Sequence, residues 1–196
     1  FHRNLDEDAQ RLADSSRALV RFLDESEEGS ERRGLPQEEV EAFFSARAFH
    51  FPELESGKTT AAALAAEAPE LEGRAARKLA ASALADYAVD ARAMPLGVLQ
   101  EGLDRLGLNP GLLAREFGVE VYRVLRRLAV LPEEVLGQPC GLVVCDASGA
   151  ILFRKPVAGF SLPRFGASCP LWPLFAALSQ PEVPIRRDVH QQGRAA

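Results

Sequence analysis

The apolar positions divide the chain into a long helical stretch and a short β-containing one. Leu5, Ala9, Leu12, Ser16, Leu19 and Leu23 recur at alternating steps of four and three. That narrow stripe predicts a charged helix over residues 1–28 with a coiled-coil-like seam. Docking on its own domain and pairing with a second copy both fit the seam; in the second case 1–28 is a dimerisation and linker helix. The charged run ESEEGSERR (Glu25–Arg33) has no periodicity and reads as a solvated linker. The next helix opens at Pro36, a residue suited to a first helical position, and stops ahead of Pro52. It carries Val40, Phe43, Phe44 and Arg47 on one face. With Phe49 and Phe51, these rings form the expected core cluster. His50 beside them reads as a structural residue and is retained only as a secondary site candidate.

From Thr59 to Ala93 the chain is Ala-rich, interrupted near Pro69, with Ala76, Leu79, Ala80, Ala83, Tyr87 and Ala91 at helical spacing. The stretch Asn109–Leu128 matches a helix-turn-helix pattern. Leu112, Leu113 and Phe117 precede Gly118; Val121, Val124, Leu125 and Leu128 follow it, and Arg123, Arg126 and Arg127 are available to face phosphate. Two scaffold helices joined at a Gly turn give the same spacing, and this structural reading is the preferred one.

Pro132 and then Gly137-Gln138-Pro139 break the helical pattern. Beyond them, the apolar runs Leu142–Cys145 and Ala150–Phe153 flank Asp146-Ala147-Ser148-Gly149, with Asp first and Gly fourth as a type I turn prefers, which predicts a β-hairpin. An isolated hairpin is marginal and needs a partner. The segment that follows supplies Phe160, Leu162 and Phe165, then a short helix with Leu171, Leu174, Phe175 and Leu178 on one face, opening either at Cys169-Pro170 or at Pro173. Val183, Ile185 and Val189 are expected to add a strand, and the tail QQGRAA to be disordered. The fold class is therefore α+β: mostly helical, with a small C-terminal β-hairpin subdomain and one packed helix. The expected divisions are a helical domain over 36–135 and a small α+β domain over 140–190.

Composition narrows the function. A formal charge of −5 argues against the whole chain being an electrostatic nucleic-acid binder. No apolar run approaches the roughly 20 residues of a membrane span, and an odd count of three Cys without a signal peptide points to a reducing cytoplasm. The chain starts at Phe1 and its only Met is Met94. It is therefore expected to be part of a longer polypeptide, with a further domain N-terminal of Phe1.

The run RFGASCPLWPLFAAL after a strand–turn–strand resembles the C-terminal domain of bacterial short-chain fatty-acyl transcriptional regulators of the XRE type. The segments AFHFPELE and DYAVDARAMPLGVLQEGLDRLGLNPGLLAREFGVEVYRVLRRL are similar to the central part of the same regulators, itself a relative of a zinc peptidase-like domain. The similarity spans Glu38 to Arg186. It implies an effector-sensing and dimerising region, controlled by a short-chain acyl-CoA, that acts on DNA through the N-terminal domain outside this chain. No His occurs between His50 and His190, so the HExxH zinc site of the peptidases is absent and the helical domain is a degenerate version of theirs. No nucleophile elbow or phosphate-binding Gly loop is present either, which leaves no enzymatic reading and no cofactor.

For an acyl-CoA, phosphates want cations, adenine wants an aromatic face and the acyl tail wants an apolar pocket. Arg154, Lys155 and Arg164, set among Phe160, Phe165, Cys169 and Trp172, offer that inventory. The alternative is a thiol or metal sensor using Cys140, Cys145 and Cys169. Their spacing, four and then 23 intervening residues, fits no zinc ribbon, and the closely spaced CRxCxRxxC-like run by which some of these regulators hold an iron–sulfur cluster is missing. Cys169 gains thiolate character only if it caps the helix.

Overall fold

The computed structural model describes residues 35–146, 148–158, 160, 173–180 and 183–188. The predicted seam of residues 1–28 and the tail from Val189 lie outside this set.

Helix α1 (Pro36–Ser45) begins where the sequence predicts, with Pro36 in its first turn and the Leu35 amide donating to Glu38 Oε2 at 3.1 Å. Val40, Phe43 and Phe44 are its buried face. The chain then reverses through Ala48 and Phe49, both at positive φ (49° and 59°), a left-handed geometry that side chains resist. The reversal brings Phe49 back onto Phe44 (centroids 5.9 Å apart) and leads into the short helix α2 (Pro52–Glu55). Phe51, fully buried, stacks on Phe43 at 5.8 Å and meets Phe44 edge-on at 5.0 Å.

Helix α3 (Ala61–Glu67) is capped by Thr60 Oγ1, which accepts from the Ala63 amide at 3.2 Å. The 20-residue helix α4 (Arg74–Ala93) is the element on which α1, α2 and α3 pack. Its buried face is built largely of small residues, Ala76, Ala80 and Ala91 around Leu84 and Tyr87, so neighbouring backbones approach closely. These helices share one apolar core with Val130. A second core, from Met94, Leu99, Leu113, Val124, Leu128 and Leu131, lies among α5 (Leu96–Leu106), α6 (Pro110–Phe117) and α7 (Val121–Ala129). Asn109 caps α6 through Oδ1, and Gly118 ends it in the left-handed conformation. The α6–Gly118–α7 pair turns its apolar face into this second core. Leu112 and Leu125 stay exposed while Leu113, Val124 and Leu128 are buried.

Helix α8 (Glu133–Leu136) follows Pro132 and ends at Gly137, also left-handed. The hairpin pairs β1 (Leu142–Cys145) with β2 (Ile151–Lys155) in antiparallel register, Leu142 opposite Lys155 and Val144 opposite Phe153, with a bulge between Val144 and Cys145. The second strand therefore runs two residues past its expected end. At the turn, the Gly149 amide donates to the Asp146 carbonyl at 3.0 Å, and Asp146 Oδ1 accepts from the amides of Ser148 and Ala150. Gly149 sits at φ +84°, and a Cβ there would touch Leu178 and Phe175 of helix α9 (Pro173–Leu178), which packs over the turn. Residues 183–188 form no strand, contrary to the expectation for Val183 and Ile185: Val183 is 54 % exposed and so gains nothing by pairing.

Candidate ligand-binding site

The hairpin docks on α1. Phe153 packs edge-on against Phe44, ring centroids 4.9 Å apart, and against Phe49 at 6.1 Å. Arg154 Nε and Nη2 donate to the two carboxylate oxygens of Glu41 at 3.0 and 2.5 Å, a bidentate pair with the arginine buried. Lys155 Nζ donates to the Ala129 carbonyl and stands 5.6 Å above the Phe49 ring. Burial depresses the Lys155 pKa, since the charged ammonium is the form that suffers from leaving water.

Behind the hairpin lies a network of buried charge. Arg127 is fully buried. Its Nη1 donates to Glu55 Oε1 at 2.7 Å and its Nε to the Met94 carbonyl at 3.2 Å, while Nη2 has no acceptor. The guanidinium also stands 5.5 Å from the Tyr87 ring centroid. The Tyr87 hydroxyl donates to Glu55 Oε1 at 2.5 Å and accepts from the Phe51 amide at 3.1 Å. Burial raises the Glu55 pKa, but the hydrogen bonds from Arg127 and Tyr87 and the charges of Arg127 and His50 outweigh it, leaving the carboxyl below its ordinary range. Burial first, then the Glu55 carboxylate, pushes Tyr87 far above the usual tyrosine range. Asp90, also buried, takes Arg123 Nε at 2.8 Å and Arg126 Nε at 2.9 Å, and Arg126 Nη1 reaches Asp86 at 2.8 Å.

Between the helices and the hairpin is a cavity of about 170 Å³. Phe44, Ala83 and Val130 line it from the helical body, and Leu142, Val144 and Leu152 from the hairpin. Asp86, Asp90, Arg126 and Arg127 complete its wall. Neither part encloses it alone.

Residues 132–193 match the family described as "Short-chain fatty acyl coenzyme A regulator, C-terminal". The resemblance carried by RFGASCPLWPLFAAL is borne out over this length. A relative, the HTH-type transcriptional regulator PrpR of Mycobacterium tuberculosis (strain ATCC 25618 / H37Rv), is 34 % identical over 113 residues, which is 57 % of this chain and 23 % of that protein. The chain thus spans about a quarter of the length of this curated relative. No solved structure matches the chain. Both matches are to proteins described as regulators. The hairpin, with its share of the cavity wall, falls within the matched region.

Of the residues singled out in the sequence, Arg154 and Lys155 are brought together on β2 and face the helical body through Glu41, Ala129 and Phe49. Phe160 is half-buried and bridges back to Val157. Arg164, Phe165, Cys169 and Trp172 lie outside the described residues. Cys140 and Cys145 are free thiols, partly buried; burial raises both pKa values, with the Asp146 charge adding to the effect at Cys145 and Lys155 opposing it at Cys140. Among the described residues no cluster of His, Cys, Asp and Glu is arranged to hold a metal ion. His50 Nε2 lies 3.4 Å from Glu55 Oε1 and is buried without a hydrogen bond, a neighbour of the ionic network. Arg123, Arg126 and Arg127, weighed as phosphate contacts, are instead turned onto Asp90, Asp86 and Glu55. The cavity itself had no signal in the sequence, because its walls come from residues over a hundred positions apart.

Proposed function

We propose that this chain is the effector-sensing and dimerising region of a cytoplasmic bacterial transcriptional regulator that responds to a short-chain acyl-CoA, with DNA contact supplied by another part of the polypeptide. One observation carries the reading: the matched C-terminal region and the helical body each supply a wall of the same cavity. An effector held there touches both parts, and it shifts a regulator only by binding one arrangement better than another. Among the described residues no helix is long and apolar enough to cross a membrane, in keeping with that setting. Arg164, with Phe165 and Trp172, is assigned to the CoA moiety on the sequence inventory. The stripe from Leu5 to Leu23 is assigned to pairing with a second copy.

A thermal-shift panel with acetyl-, propionyl-, butyryl- and longer acyl-CoAs, free CoA and zinc tests the reading, since a ligand of the native state raises the melting temperature. Stabilisation graded by acyl length is the expected result, weakened by Arg164→Glu. A response to zinc or oxidant alone would move the assignment to the three cysteines. The raised pKa values of Cys140 and Cys145 count against that second reading, because the thiolate is the reactive and metal-binding form.

A further inference from the structure

Ala48 and Phe49 occupy the left-handed region in succession, at φ 49° and 59°. The hydrogen bonds around them are those of a helix stop: the Phe49 amide donates to the Phe44 carbonyl at 2.9 Å and the Ala48 amide to the Ser45 carbonyl at 3.0 Å. Such a stop takes one left-handed residue, at the place of Ala48, and favours glycine there. A second one bearing a bulky ring is an outlier that only its surroundings can hold. Ala48 is exposed and brings no packing, whereas Phe49 is buried. Among the described residues, the rings and cation set around Phe49 are Phe44 at 5.9 Å, Phe153 at 6.1 Å and Lys155 Nζ at 5.6 Å. The last two belong to β2, so the hairpin helps to keep this backbone in place.

On its other side the reversal meets the buried network. His50 Nε2 stands 3.4 Å from Glu55 Oε1, and the Phe51 amide donates to the Tyr87 hydroxyl, which itself donates to Glu55. Phe49, His50 and Phe51 thus connect β2 to α2 and α4 within three consecutive residues. We infer that this reversal is a two-position relay. With β2 docked, Phe49 is held left-handed and Phe51 is set on Tyr87. With β2 withdrawn, Phe49 leaves the left-handed region and takes the Phe51 amide off the Tyr87 hydroxyl. Both ends bias one strained element, which is what coupling between them requires. The relay is indifferent to what fills the cavity, so it stands or falls apart from the proposed function.

The test is residue-resolved hydrogen exchange on the full 196-residue chain, read at Phe51 relative to the buried Leu113 amide of the second core. In Phe153→Ala the Phe51 amide is expected to exchange about tenfold faster or more, with Leu113 unchanged. Phe44 also touches both Phe153 and Phe51, so lost packing alone could have that effect. Adding Ala48→Gly separates the two: it restores no ring contact but relieves one left-handed residue, and it is expected to return protection to Phe51. No recovery overturns the relay in favour of packing through Phe44. Should Phe153→Ala open the whole chain, shown by equal acceleration at Leu113, Lys155→Met decides instead, with and without Ala48→Gly, because it removes only the ammonium above Phe49. An unchanged Phe51 amide in the deciding variant overturns the relay. Coupling is reciprocal. Ala48→Val, whose branched side chain resists the left-handed region, is therefore expected to speed exchange in Ile151–Lys155, and a hairpin that keeps its protection there overturns the relay as well.

Discussion

Glu55 and Arg127 stand 72 positions apart in the sequence, yet Oε1 and Nη1 meet at 2.7 Å with the arginine wholly buried. The pair ties α2 to α7 across the top of Tyr87, whose hydroxyl donates to the same carboxylate oxygen. Removing one partner of a buried ion pair leaves the other charge stranded, which costs far more than the pair contributes net. Glu55→Gln is therefore expected to destabilise the fold by about 3 kcal/mol, the low end for such pairs because Glu55 keeps 18 % side-chain exposure. Urea unfolding at neutral pH measures it. The pH dependence has a definite sign. With its folded pKa depressed, Glu55 stabilises the protein above the ordinary glutamate value, and that contribution disappears as pH falls through the folded value. The acid limb of stability against pH should be shallower in Glu55→Gln; an identical limb would show that the carboxylate is not the linked group.

Tyr87→Phe keeps the ring against Phe51 and deletes the hydroxyl that accepts from the Phe51 amide and donates to Glu55. A buried amide left without an acceptor makes this a loss of about 1–3 kcal/mol. Tyr87 is held above its usual range in the fold, so the unfolded chain ionises first and stability declines as pH rises past the ordinary tyrosine value. The phenylalanine variant should lose part of that alkaline decline, as read from melting temperatures across alkaline pH.

Phe153→Ala tests whether the hairpin is held by aromatic packing. The ring is half-buried, 4.9 Å from Phe44, and the expected cost is about 3 kcal/mol. Hydrogen exchange gives the sharper reading: amides of Leu142–Cys145 and Ile151–Lys155 should lose protection while those of α5 to α7 keep theirs. Equal loss throughout would mean that the hairpin and both helical cores open as one unit.

The parts of the fold legible in the sequence are those governed by short-range rules. Pro36 at a helix start, Asn109 and Gly118 around α6, Gly137 after α8, and Asp146 with Gly149 at the hairpin turn each act within a few residues. The Phe cluster was legible because apolar periodicity marks a core face. Charged partners carry no such period. Arg127 looks no different in sequence from Arg126, yet it is fully buried and its neighbour is not; only the arrival of Glu55 from α2 decides this. Arg154 is the same case. Read as a cation for a ligand, it is bidentate on Glu41, 113 residues upstream. The cavity was invisible for the same reason.

The chain alone is expected to leave duplex DNA unretarded at low salt. Binding to phosphate requires guanidinium groups that exchange counterions for the nucleic acid. Arg123 and Arg126 are instead committed to Asp90, and Arg127 to Glu55. A salt-dependent gel shift that Arg123→Ala abolishes would restore the helix-turn-helix reading of Asn109–Leu128.

Thiol reactivity separates the two functional readings most cheaply. Cys140 and Cys145 are both raised in pKa, chiefly by burial, so at mildly alkaline pH each holds less thiolate than a free cysteine. In a Cys169→Ser background, which leaves only these two thiols, iodoacetamide should therefore react more slowly than with glutathione, and unfolding in urea should restore the ordinary rate. The sign is informative because a redox sensor requires the opposite: a lowered pKa, access, and a rate above that of the free thiol. Fast modification of either residue in the native chain would mean that an open state of the hairpin exposes it, since Cys145 is in β1 and Cys140 only two residues before that strand. Slow modification that becomes slower still with butyryl-CoA would couple the hairpin to the cavity, as expected if the effector is held between β1, β2 and the helical body.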